Sequence, residues 1–116
     1  MSFRLSSSMN DGILEIIITG ELEESSINKI FNEVDNITKA NSVVKAIWDF
    51  RAFKGRVDKT EIHRLARNHP SVFYEIQAAI VDIPGNTDYE TVARNAGLSI
   101  KWFTDMDTAR KWIKSK

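Results

Sequence analysis

Val43-Val44-Lys45-Ala46-Ile47-Trp48-Asp49-Phe50 is the stretch that decides the fold. Its eight residues are nearly continuous in apolar character and rich in β-branched and aromatic types, which fits a strand flanked by neighbours on both sides. Arg51 ends it, and Lys54-Gly55 marks the loop beyond. Two further stretches read the same way. Ile76 to Ile83 is a buried strand stopped by Pro84-Gly85, and Leu98 to Phe103 is a last strand.

Helical signals fill the gaps between these strands. Upstream, Ile27, Ile30, Phe31, Val34 and Ile37 recur at helical spacing, with Ser25 or Ser26 available as the cap. Asp58 and Glu61 resemble a capping box that opens a helix with Ile62, Leu65 and Ala66 inward, closed by His69-Pro70. Thr87 and Glu90 form a second box before Val92, Ala93 and Ala96, and Gly97 is the stop. Thr104 or Asp105 starts a final helix carrying Met106, Ala109, Trp112 and Ile113. At the N-terminus, Phe3 to Ser7 and Ile13 to Thr19 flank Asn10-Asp11-Gly12, a hairpin signal. The resulting order is ββαβαβαβα. It predicts one α/β domain over residues 1–116 with a five-stranded, mostly parallel sheet and right-handed crossovers.

Alternation along the strands sorts the side chains onto two faces. Leu14, Ile16, Ile18, Val44, Ala46, Trp48, Phe50, Ile76, Ala78, Ile80, Leu98, Ile100 and Trp102 form one set, interrupted only by Asp82. The opposite set carries Glu15, Lys45, Gln77 and Lys101 near the strand centres. Burying unpaired charges there would cost several kcal/mol each. The helices are therefore expected mainly on one face, leaving the polar row open or covered by a partner. Ile17, Ile47, Val81 and Phe103 lie beside that row and suggest self-association as a homodimer.

Composition limits the function. The 116 residues are 42% hydrophobic and 28% charged, with no cysteine, so disulfides, thiolate metal sites and a cysteine nucleophile are excluded. No signal-peptide apolar core and no stretch near the ~20 residues of a membrane span occurs, which points to the cytoplasm. The net charge is zero but unevenly placed. Asp11 to Asp35 holds seven acids against Lys29, whereas Arg51 to His69 holds six bases against two acids. Glycine-rich phosphate loops are absent, and His63 and His69 miss metal-ligand spacing, so no cofactor or metal is expected. Asp49 and Asp82 end two strands but point to opposite faces, which suits capping of the following loops better than a shared ion or an acid/base pair. No catalytic residue can be nominated. Lys59, His63 and Arg67 share one stripe at four-residue spacing, fit for a phosphate or an acidic partner. Nucleic acid is disfavoured by a pI of 6.7 and by the lack of interleaved aromatics. Trp102, Phe103 and Trp112 read as core anchors.

Lys45-Ala46-Ile47-Trp48-Asp49-Phe50, Ala78-Ala79-Ile80-Val81-Asp82, Lys101-Trp102-Phe103-Thr104-Asp105 and Ala109-Arg110-Lys111-Trp112-Ile113 together resemble the SpoIIAA-like branch of the STAS domains, a group related to the Sec14 lipid-transfer fold. The resemblance implies a bacterial, non-catalytic regulatory or adaptor module that binds a protein partner as anti-sigma-factor antagonists do. The Sec14 relationship implies, as an alternative, a carrier or sensor of a small apolar or amphipathic ligand. In the family, an Asp-Ser-Ser/Thr-Gly string holds the phosphoacceptor serine. The matching string here is Asp58-Lys59-Thr60-Glu61, with Lys59 at the phosphoacceptor and Thr60 as the remaining hydroxyl. The partner surface is thus expected at Arg51, Lys54, Arg56, Asp58, Lys59, Thr60, His63 and Arg67, facing an acidic protein or anionic ligand.

Overall fold

In the computed structural model, which describes residues 3–23, 26–56, 75–86, 88–95 and 97–116, the chain opens with a hairpin. Strand β1 (Phe3–Asn10) pairs antiparallel with β2 (Ile13–Glu21), in unbroken register from Phe3↔Gly20 to Asn10↔Ile13. Asp11 and Gly12 form the two-residue loop with φ of 54° and 78°, the positive pair that a type I′ turn requires. Because this turn matches the strand twist, pairing continues to the loop itself, and β1 outlasts the expected end at Ser7.

Helix α1 (Ser26–Asn41) follows, then β3 (Lys45–Asp49), the two-residue β4 (Phe53–Lys54), β5 (Gln77–Val81), α2 (Asp88–Asn95), β6 (Ser99–Phe103) and α3 (Met106–Lys114). The sheet order is β1-β2-β3-β5-β6, parallel from β2 onward. Strand β4 adds a sixth, pairing with Gly20 and Glu21 of β2 where β3 has left off. Two residues carry no readable periodicity, so the sequence could not announce it.

The larger core lies between the sheet and α1 and α2. Leu14, Ile16, Ile18, Ala46, Trp48, Ile76, Ala78, Ile80 and Ile100 meet Ile30 and Val34 of α1 and Ala93 of α2 there. In α1, the buried Thr38 hydroxyl donates to the Val34 carbonyl at 2.7 Å, which satisfies it within the helix. Trp48, Ile80 and Ile100 are buried as the alternation requires. Val44 is not. It precedes the first paired residue of β3 and is 63% exposed.

The second face is covered as well, which corrects the expectation of an open polar row. Helix α3 runs across it and packs Ala109 and Ile113 against Ile13, Ile47, Ala79 and Val81, with Phe103, Met106 and Trp112 alongside. A helix over this face would be costly if Glu15 and Lys45 lay beneath it without partners. Instead Arg110 of α3 grips Glu15 with two hydrogen bonds of 2.9 and 2.8 Å, and Lys45 Nζ donates to the Lys116 carbonyl. Lys101 stays exposed, with its ammonium 5.6 Å from the Phe103 ring centroid. A paired carboxylate at the edge of a helix contact costs far less than an unpaired one, so the face tolerates a helix. Ile47 and Val81 are consequently fully buried within the chain and unavailable for self-association. Ile17 remains 43% exposed, and Phe103 is half-buried against Trp112, their rings 5.6 Å apart.

Candidate functional site

The rim at the C-terminal ends of β3 and β5 collects the densest polar network among the described residues. It is built by a tight excursion of the chain from Phe50 to Arg56. Phe53 N donates to the Phe50 carbonyl at 3.0 Å, closing the turn, and Leu22 N donates to the Lys54 carbonyl at 2.8 Å, fastening β4 to the end of β2. Gly55 then turns the chain with φ of 86°, where a Cβ would stand 3.1 Å from Leu22 Cβ. Glycine is required here by both backbone conformation and space.

That turn brings Arg56 over the end of β5. Its Nη2 and Nε donate to Asp82 at 2.5 and 3.4 Å. Nη1 donates to the Phe53 and Gly55 carbonyls, each at 2.6 Å, and Nη2 donates also to the Phe50 carbonyl at 2.9 Å. A guanidinium has five N–H donors, and these five contacts occupy them all. The Phe53 ring lies 5.8 Å from the guanidinium carbon, adding a cation–π contact. Asp82 is 3% exposed and accepts in addition from Ile83 N at 2.8 Å and Trp102 Nε1 at 3.4 Å.

Asp49 closes β3 on the other face of the sheet. Its carboxylate accepts from Arg51 N and Nε, both at 3.0 Å, and from Nη2 at 2.8 Å. Burial works to raise the Asp49 pKa, but the hydrogen bonds and charge of Arg51 together outweigh it and hold the carboxyl below its usual range. The Arg51 guanidinium is raised in turn, chiefly by its hydrogen bond to Asp49. Asp49 and Asp82 therefore cap the loops that follow them and point apart, as the strand alternation implied. Among the described residues no three His, Asp or Glu side chains converge as a metal site.

This geometry reassigns Arg56. The sequence placed it with Arg51, Lys54, Asp58, Lys59, Thr60, His63 and Arg67 on the expected partner surface. With its side chain 19% exposed and every donor engaged, it is instead the post around which the turn is wound. Lys54 is exposed at the rim, and the Arg51 side chain is 44% exposed beyond its pair with Asp49. Asp58, Lys59, Thr60, His63 and Arg67 lie outside the described residues, as do the capping box at Asp58 and the stop at His69-Pro70. The Arg56–Asp82 pair spans 26 positions and Glu15–Arg110 spans 95. No local spacing joins such residues, so sequence reading could find neither pair.

Sheet order, hairpin start, parallel crossovers and the closing helix together define a SpoIIAA-like, STAS-type fold. Two solved structures bear this out. An anti-sigma factor antagonist from Mycobacterium paratuberculosis superposes with a TM-score of 0.66 at 14% identity, over 97% of this chain and 95% of its own. An uncharacterized protein with a SpoIIAA-like fold from Shewanella loihica gives a TM-score of 0.60, also at 14% identity, over 97% and 93%. No protein-family model matches the chain, and no curated protein does.

Proposed function

We propose that this chain is a non-catalytic regulatory module that binds a protein partner at the corner running from Arg51 through the segment that begins at residue 57. The observation that carries the reading is the anchoring of Arg56. Five hydrogen bonds fix Arg56, two residues before the string Asp58-Lys59-Thr60-Glu61, so the turn from Phe50 to Arg56 that leads into this string is held in place before any partner arrives. A preorganised surface loses less freedom on binding and gains affinity accordingly. The likeness in fold to an anti-sigma factor antagonist supports a regulatory role.

The recognised chemistry is an acidic protein surface. Lys54, Lys59, Arg67 and the outer part of Arg51 supply the positive charge, and Lys59 stands where the family resemblance places a switchable serine. A permanent cation there makes recognition constitutive. The test is affinity capture from cells of the native source, quantified by mass spectrometry, with wild type, the triple reversal Lys54→Glu/Lys59→Glu/Arg67→Glu, and Lys111→Glu on α3 as the control. The expected result is a partner retained by wild type and control and lost by the triple variant. Equal retention by all three, with unchanged salt dependence, places the contact elsewhere.

A further inference from the structure

The outer edge of β1 pairs with nothing among the described residues, and it lacks the usual protections of a sheet edge. From Phe3 to Asn10 it is eight residues long, has no proline or bulge, and carries Arg4 as its only charge. The opposite edge, β6, is five residues long with an exposed lysine, Lys101, at its centre.

The turn geometry fixes which backbone groups of β1 face outward. A two-residue type I′ loop is flanked by a hydrogen-bonded pair, here Asn10 and Ile13. Alternation then directs the N–H and C=O groups of Asn10, Ser8, Ser6 and Arg4 toward β2. The Thr19 hydroxyl donating to the Arg4 carbonyl agrees with this sense. Those of Met9, Ser7, Leu5 and Phe3 point away from the sheet.

We infer that this edge pairs antiparallel with β1 of a second copy about a two-fold axis at Ser7. In that register each Ser7 exchanges two hydrogen bonds with its mate, and Leu5 of one copy exchanges two with Met9 of the other. Only outward groups meet, so the outward groups of Leu5, Ser7 and Met9 are all paired along the contact. The side chains are self-complementary too. Met9 is 47% exposed, a large apolar group that the fold of one chain leaves bare, and the register sets it against Leu5 of the second copy. Arg4 falls opposite Asn10, so no like charges meet, and the small Ser6 and Ser8 side chains oppose each other without crowding. An arbitrary extended peptide would satisfy the backbone but not this reciprocal pairing. The contact is one strand wide, below the ~1,200 Å² of standard interfaces, so a weak, concentration-dependent dimer is expected.

The test is sedimentation equilibrium of the full chain over a wide concentration range, with Ser7→Pro and Met9→Lys. Proline at residue 7 removes an outward N–H only, so the hairpin and the circular dichroism spectrum should persist. Loss of the axial hydrogen bonds should weaken association by about tenfold or more. Because the chain has no cysteine, Ser7→Cys supplies an independent readout. The two Cα atoms of a hydrogen-bonded pair lie about 5.5 Å apart, within disulfide reach. Ser7→Cys should therefore form a covalent dimer under mild oxidation much faster than Ser115→Cys. A wild type that stays monomeric at the highest concentration, or a dimer that Ser7→Pro leaves intact while Ser7→Cys crosslinks no faster than Ser115→Cys, overturns the inference.

Discussion

Arg56→Ala tests whether the rim is built around this side chain or merely decorated by it. The substitution leaves the Asp82 carboxylate 3% exposed without its cation, retaining only Ile83 N and the long contact from Trp102. Removing one partner of a buried ion pair costs about 3–5 kcal/mol, more than the pair itself contributes, because a buried charge is left uncompensated. The Phe50, Phe53 and Gly55 carbonyls also lose a donor, but the loop is near enough to water for them to be rehydrated, so the lower value of about 3 kcal/mol is the better expectation. Unfolding entropy near 2.1 cal/mol/K per residue over 116 residues is about 0.24 kcal/mol/K, and the loss then corresponds to a fall in Tm of about 12 °C. Urea unfolding followed by tryptophan fluorescence reads the same quantity directly, and Arg56→Lys, which keeps the charge but not the five-donor fork, should fall between. A solvated surface arginine would cost within ±0.5 kcal/mol. A measured loss below 1 kcal/mol for Arg56→Ala refutes the anchoring and returns Arg56 to the partner-facing surface.

Other substitutions probe the rest of the structure. Trp48→Ala, in the larger core at 7% exposure, should destabilise by about 3–5 kcal/mol in the same urea assay. Gly55→Ala must adopt φ of 86° and press a methyl within 3.1 Å of Leu22, so calorimetry should show a loss of at least ~1 kcal/mol. The Glu15 carboxyl is held below its usual value of 4.5, chiefly by the Arg110 hydrogen bond against the opposing effect of burial. A group whose pKa is depressed by folding stabilises fully above its unfolded value and loses that contribution as pH falls through the folded one. Stability measured by thermal melts should thus drop below about pH 4.5, and Arg110→Met should flatten that part of the profile. An unchanged acid limb in Arg110→Met would show that the pair does not report on folding.

What the sequence determined by itself was the succession of the described elements other than β4, and one face of the sheet. Asp11-Gly12 dictated a hairpin because only residues tolerant of positive φ close a two-residue loop. The alternation through Leu14-Ile16-Ile18, Ala46-Trp48 and Ala78-Ile80 dictated the larger core, because a side chain's face is set by the parity of its position. Asp49 and Asp82 were placed at strand ends, facing apart, by the same rule. The other face was decided only by tertiary structure. Glu15 reads as solvent-exposed until Arg110 is brought across from α3, 95 residues away, and the cost of burying a charge depends on that partner rather than on the residue itself. Arg56 went the same way. Along the chain it is one more base in a basic segment, and only the turn at Gly55 and the end of β5 convert it from a surface charge into the centre of the rim. Local propensity and parity act between neighbours in the chain, whereas pairing acts between neighbours in space, and it was pairing that fixed where α3 docks and which arginine anchors the rim.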